Sequence, residues 1–216
     1  MSDTRQRLLH AAIETVRHDG IAHTSARTIA RRADANQALV FYHFGSVHGL
    51  LTEACLAATR EQLDRWRPRL GRVETLDELV TLATELHREE RFRGNVAVLA
   101  QMLAGAQSDH ALREPTAAAL ELWVAEVRAT LHRLLDDSPM SELVDVDALG
   151  RSLAAAFVGI ELFDGIGDAR TAAPVDALEQ LASLVSVVLE LGPVASTALR
   201  RRVERGRTRP VRDGER

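Results

Sequence analysis

The residues whose types and spacing could do chemistry sit in one short stretch, Asn36-Gln37-Ala38-Leu39-Val40-Phe41-Tyr42-His43-Phe44. Read as a helix, it turns Val40 and Phe44, four residues apart, to the same side. Gln37, Tyr42 and His43 then face outward, and Ala38 keeps that face low. A small polar face of this kind fits a major groove, where Gln pairs bidentately with adenine and Leu39 touches a thymine methyl group. Phe41, Tyr42 and Phe44 cluster three aromatic rings on this one short helix, which suits both packing and recognition.

Other chemistries lack their residue sets. A di-iron bundle needs paired Glu-x-x-His motifs, and Glu85 is followed three residues on by Arg88. His18-Asp19 and Asp109-His110 have no further ligands at metal spacing. No Gly-x-Ser-x-Gly elbow or phosphate loop occurs, and Gly165-Ile166-Gly167 lacks both a third glycine and a preceding strand. The sequence therefore predicts no enzyme, no cofactor and no metal. Two competing readings stay open. An all-α enzyme would declare itself by bound metal or by turnover, and a helical adaptor for protein partners by the lack of salt-sensitive affinity for duplex DNA.

The chain around this stretch is an ordinary globular one of 216 residues, 46% hydrophobic and 27% charged. That is enough for a sizeable core and too apolar for wholesale disorder. All 27 basic residues are arginine, and the net charge is −4. Residues 1–50 carry a net +2, residues 51–199 a net −11 and residues 200–216 a net +5. An acidic middle between basic ends can still approach a polyanion with one face. The single cysteine, Cys55, excludes an intramolecular disulfide; it falls in line with Leu51 and Ala58, which points to packing rather than redox sensing. No apolar run approaches the roughly 18 residues of a membrane span, and the first residues lack a signal-peptide core. A cytoplasmic protein without membrane contact is the expectation.

Nearly the whole chain reads as helix, about ten in all. Leu8, Leu9, Ala12, Ile13 and Val16 recur at helical spacing until Gly20. Ser25 caps a short second helix with Ala26, Ile29, Ala30 and Ala33 inward. After a tight turn at Asp34-Ala35, Asn36 caps the third, which is the spacing of a helix-turn-helix. Ser46 caps a long fourth helix to Arg67, where Pro68 and Gly71 mark a stop. Thr75 and Glu78 form a capping box for a helix over 76–90. Further helices are predicted over 95–106, over 115–136, from Asp145 or Asp147 to Phe163, and over 173–191 and 194–205.

Residues 5–51 resemble the N-terminal domain of TetR-type bacterial repressors. The likeness is strongest over Thr24-Ser25-Ala26-Arg27-Thr28-Ile29-Ala30 and Phe41-Tyr42-His43-Phe44-Gly45-Ser46. It implies a homodimeric transcriptional regulator on a near-palindromic double-stranded DNA operator, released by a small-molecule effector. It divides the all-α chain into a helix-turn-helix DNA-binding domain over 1–50, a helical effector-binding and dimerisation domain over 51–205, and an Arg-rich flexible tail over 206–216. The DNA-contacting set is Ser25, Arg27, Asn36, Gln37, Ala38, Leu39, Tyr42, His43 and His48, with Arg5 and Arg7 reaching the backbone or minor groove ahead of the first helix. Four positions depart from the family pattern. Asp34 replaces a usual Gly, Phe41 a common Tyr, Leu39 a common Thr, and Val47 a phosphate-binding Lys beside which His48 stands.

The resemblance also implies an effector pocket between about residues 60 and 165. Its candidate lining is Trp66, Phe92, Gln101, Met102, Trp123, Phe157 and Glu161, which favours an apolar or aromatic ligand. Ala155 and Gly159, four apart, would let another helix approach closely. With a stripe of Leu178, Leu181, Ala182, Val185 and Leu189 they are the expected dimer interface. A two-fold dimer would place two recognition helices about 34–36 Å apart, one turn of DNA.

Overall fold

The computed structural model describes residues 3–164 except 137, 139, 140, 142 and 143, and not the side chains of Arg91, Val96, Glu161 and Asp164. The helices expected over 173–191 and 194–205, the tail over 206–216, and Leu178, Leu181, Ala182, Val185 and Leu189 lie outside the described residues. Within them the α-helices are α1 (Asp3–Asp19), α2 (Ala26–Arg32), α3 (Ala38–Phe44), α4 (Val47–Leu70), α5 (Leu76–Phe92), α6 (Asn95–Ser108), α7 (Arg113–Leu135) and α8 (Val146–Asp164). Two 3₁₀ turns, Ile21–His23 and His110–Leu112, join α1 to α2 and α6 to α7. The described residues contain no strand.

Helix starts follow their capping residues. Ser46 Oγ accepts from Gly49 N–H at 2.9 Å, Thr75 Oγ1 from Glu78 N–H at 3.1 Å and Asp145 Oδ1 from Ala148 N–H at 3.0 Å. The end of α4 departs from expectation, because the helix runs through Pro68 to Leu70. Proline lacks the N–H for one intrahelical bond. Burial of Leu70 beside Trp66 and Val73 offsets that loss. Arg133 of α7 donates to the carbonyls of Leu70 at 2.6 Å and Val73 at 3.3 Å, satisfying groups a helix end leaves open.

Two main cores result. The first collects Leu8, Ala12 and Val16 of α1, Ile29 and Ala30 of α2, Val40 and Phe44 of α3, and Leu50, Leu51, Ala54 and Cys55 of α4. Val98, Met102 and Ala106 of α6 and Ala119 of α7 complete it, so the packing does not divide at residue 50. Burial pushes the Cys55 thiol up to about 11, against a smaller opposing effect of its hydrogen bond with Thr59. That suits a packing role and not a reactive one. The second core joins Trp66 and Leu70 of α4 to Leu82 and Leu86 of α5, with Trp123 of α7 and Phe157 of α8 against it. Its neighbour on α7 and α8 is built on Leu131, Leu135 and Val146. At 24 residues, α4 is about 36 Å long and enters both main cores.

A buried carboxylate ties these helices together. Glu90 is 4% exposed, and receives N–H groups from Gln62 at 2.8 Å, Trp66 at 3.0 Å and Arg65 at 3.3 Å. Asn95 also donates to it, and accepts in turn from Arg17 of α1 at 2.9 Å. Burial alone would raise the Glu90 carboxyl; hydrogen bonds from Asn95, Trp66, Arg65 and Gln62 outweigh it and hold the group below its ordinary 4.5. Its stabilisation is therefore present above that value and lost as the pH falls through the lowered one. Glu90→Gln should lower unfolding free energy at pH 7 by about 2–4 kcal/mol. Urea melts should show that deficit shrinking on acidification below 4.5.

Candidate DNA-binding surface

The site is built on a helix start and a turn. Ser25 Oγ accepts from Thr28 N–H at 3.2 Å, and Thr28 Oγ1 accepts from Ser25 N–H at 2.8 Å, closing a capping box at α2. At the other end of α2, Ala35 N–H reaches Ala30 O at 2.9 Å and Asp34 N–H reaches Arg31 O at 3.3 Å. This pair of bonds is a Schellman motif, which needs a left-handed residue at its hinge. Asp34 supplies it, with φ 47°. From α1, Arg7 Nη1 donates to Ala33 O at 3.0 Å and Asp34 O at 3.4 Å, pinning the turn from outside. Asn36 Oδ1 then accepts from Ala38 N–H at 2.9 Å and starts α3.

Burial settles the faces of α3. Val40 is wholly buried and Phe44 nearly so, while Tyr42 is 81% exposed. Gln37 and Ala38 are exposed as well. His43 is half-buried between Tyr42 and Phe44, edge-on to both rings at centroid distances of 4.9 and 6.1 Å. Leu39 is partly buried and packs against the first core. Phe41 shows instead, at 52% exposure.

The surrounding cations divide into free and committed. Arg27 of α2 is exposed and has no ion-pair partner among the described residues. Arg31, one turn further on the same face, is its equal and was missed; the four-residue spacing was the available signal. Arg5 and Arg7 lie inside α1 and are not free arms. Arg5 pairs with Glu53 of α4 and sits 5.1 Å above the Phe44 ring, and Arg7 holds the turn. His48, expected at phosphate, pairs at 2.7 Å with Asp109, beyond the end of α6. A hydrogen bond from His48, and then one from Ala111 N–H, hold the Asp109 carboxyl below its usual range.

The effector candidates are not brought together. Trp66, Trp123 and Phe157 share the second core, whereas Met102 belongs to the first. Gln101 Oε1 accepts from Ile21 N–H at 3.1 Å, committing its amide to the 3₁₀ turn ahead of α2. Phe92, expected in the pocket, is 93% exposed, although Glu90 two residues earlier in the same turn is buried against α4. The Glu161 side chain lies outside the described residues. A surface groove of about 420 Å³ between the end of α4 and α5 is lined by charged groups such as Arg69, Asp77 and Glu85, and by none of these candidates. On α8, Ala155 is exposed, and Gly159 has nothing within 4 Å of where a Cβ would stand. No helix of the described residues is long and apolar enough to cross a membrane.

Comparison with known proteins agrees with this geometry. Residues 8–54 match the family of bacterial regulatory proteins, tetR family. An HTH-type transcriptional regulator of Mycobacterium tuberculosis is 24% identical over 178 residues, covering 82% of this chain and 88% of that one. Among solved structures, a TetR-family transcriptional regulator from Rhodococcus sp. superposes with a TM-score of 0.69 at 20% identity, over 86% of this chain and 100% of that one. A transcriptional regulator from Saccharomonospora viridis in complex with choline gives 0.66 at 21% identity, over 85% and 95%. The multidrug binding protein EbrR complexed with imidazole gives 0.60 at 25% identity, over 84% and 96%.

The turn geometry sets a stability test. Asp34→Gly relieves the left-handed strain and should raise unfolding free energy by about 0.5–1 kcal/mol, whereas Asp34→Val should lower it. Thermal melts of both variants decide it, and an unchanged or lower midpoint for the glycine variant would contradict the strain argument.

Proposed function

We propose that this chain, which carries the DNA-binding domain of the tetR family of bacterial regulatory proteins, is a cytoplasmic homodimeric repressor released from its operator by a small molecule. The observation that carries the reading is the outer face of α3. Gln37, Ala38 and Tyr42 stand clear of a buried Val40 and Phe44, and on α2 Arg27 and Arg31 are exposed with no ion-pair partner among the described residues. Such a face enters a major groove while the cations and the Ser25 end of α2 meet phosphate. Gln37 reads adenine; Tyr42, Arg27 and Ser25 contact the backbone, and Asn36, Ala38 and His43 line the approach.

Dimerisation is supported by α8, where exposed Ala155, open Gly159, and Leu162 and Phe163 at 38% and 64% exposure form a small-residue apolar face. A second copy of the same helix suits such a face. The choline and imidazole complexes of two structural neighbours support a small-molecule effector. The Trp66, Trp123 and Phe157 cluster, with Glu161 near its edge in sequence, favours an apolar or aromatic one. Arg17–Asn95, Ile21–Gln101 and His48–Asp109 join α1, the 3₁₀ turn ahead of α2 and the start of α4 to α6 and its C-terminal turn. A ligand that moves α6 would reach α3 through them.

Selection of random duplex DNA by the purified protein near physiological salt tests the reading. The expected outcome is an inverted repeat bound by an even number of protomers, with affinity falling steeply as salt rises. Gln37→Ala should cost about 1–3 kcal/mol of discrimination at one base position per half-site while sparing nonspecific binding. Tyr42→Phe should weaken all sequences alike. Failure to enrich any sequence, with and without extraction of bound small molecules, would remove the regulator reading.

A further inference from the structure

We propose that Phe41 reads the 5-methyl group of a thymine in each operator half-site. The inference rests on the DNA-binding reading above and adds a specificity-determining residue to it. Phe41 lies one helical turn beyond Gln37, so the two side chains form one row along α3, with Ala38 and Tyr42 in the next. It is 52% exposed on a helix whose Val40 and Phe44 are buried and whose Leu39 is partly buried. An apolar ring left in water beside a base-reading glutamine needs an apolar partner when the helix docks.

The ring has no group for a phosphate oxygen, so a backbone role is closed to it. The thymine methyl is the distinct apolar group that base edges present in the major groove. Leu39 could meet it by residue type but is partly buried against the core, so Phe41 offers the more exposed apolar side chain. Tyr42 ends in a hydroxyl and is 81% exposed, which suits a phosphate at the groove edge. Phe41 is therefore left as the apolar reader, about one base step along the groove from the adenine pairing with Gln37.

The test uses the full-length protein and the operator found by selection. Each thymine is replaced in turn by deoxyuridine, which removes only the methyl group. Burial of one methyl corresponds to about a three- to fivefold effect per half-site. The expected result is one thymine per half-site whose replacement weakens wild-type binding by that factor. Phe41→Ala should bind more weakly and be indifferent to the change, while Phe41→Leu, which keeps an apolar contact, should still sense it. Cytosine at that position should bind weakly and 5-methylcytosine should recover part of the loss. Indifference of the wild type to every deoxyuridine, or undiminished sensitivity in Phe41→Ala, overturns the proposal and leaves operator binding intact. Absence of any selected operator overturns the underlying reading as well.

Discussion

A helix of seven residues cannot hold itself together in water, and α3 has seven. Its shape is borrowed from burial. Val40 and Phe44 go into the first core, Arg5 covers the Phe44 ring from α1, and a Schellman turn pinned by Arg7 delivers the chain to the Asn36 cap. The same burial decides what remains outside. Because two inward residues fix the rotation of the helix, Gln37, Phe41 and Tyr42 have no freedom to choose their face. Folding and recognition are thus one constraint: whatever loosens the inner face also blurs the outer one.

The first core does not belong to the N-terminal helices alone. Val98, Met102 and Ala106 reach into it from α6, and Gly105 lets the Ile21 and Leu112 side chains come close. A Cβ there would stand 2.8 Å from Leu112 Cδ1, well inside contact distance. Close-packed interiors transmit displacement instead of absorbing it. The Arg17–Asn95–Glu90 chain extends the connection in polar form from α1 to Trp66, and α4 spans the same distance as one continuous helix. The N-terminal helices are mounted on the larger body at several points.

Much of this was legible residue by residue. Ser25, Asn36, Ser46, Thr75 and Asp145 are local signals, each acting on a backbone N–H two or three positions away, and each is found in its capping role. The inward pair Val40 and Phe44 follows from helical spacing in the same way. The misreadings share a different character. Pro68 reads as a stop, but burial of Leu70 and the Arg133 bonds come from parts of the fold its neighbours in sequence do not reveal. Phe41 stands more exposed than its type suggests while Leu39 is partly buried, because core packing on one side of α3 decides which is covered. Phe92 has the residue type of pocket lining, yet it sits on the solvent side of a turn whose Glu90 faces α4 and α6.

Within the described residues, the sequence by itself determined which segments are helical, where most of them start, and that a tight turn at Asp34 joins two short helices with Gln37 and Tyr42 on the outer side. These are properties of neighbours along the chain, read at spacings of two to four residues. Tertiary structure alone decided the long-range partners. Arg7 holds a turn 26 residues away, His48 pairs across 61 and Ile21 meets Gln101 across 80. An arginine or histidine near the N-terminus has the same chemistry whether it meets phosphate or a carboxylate of its own chain. Only the packing of α1, α4 and α6 brings one of those partners within hydrogen-bonding distance.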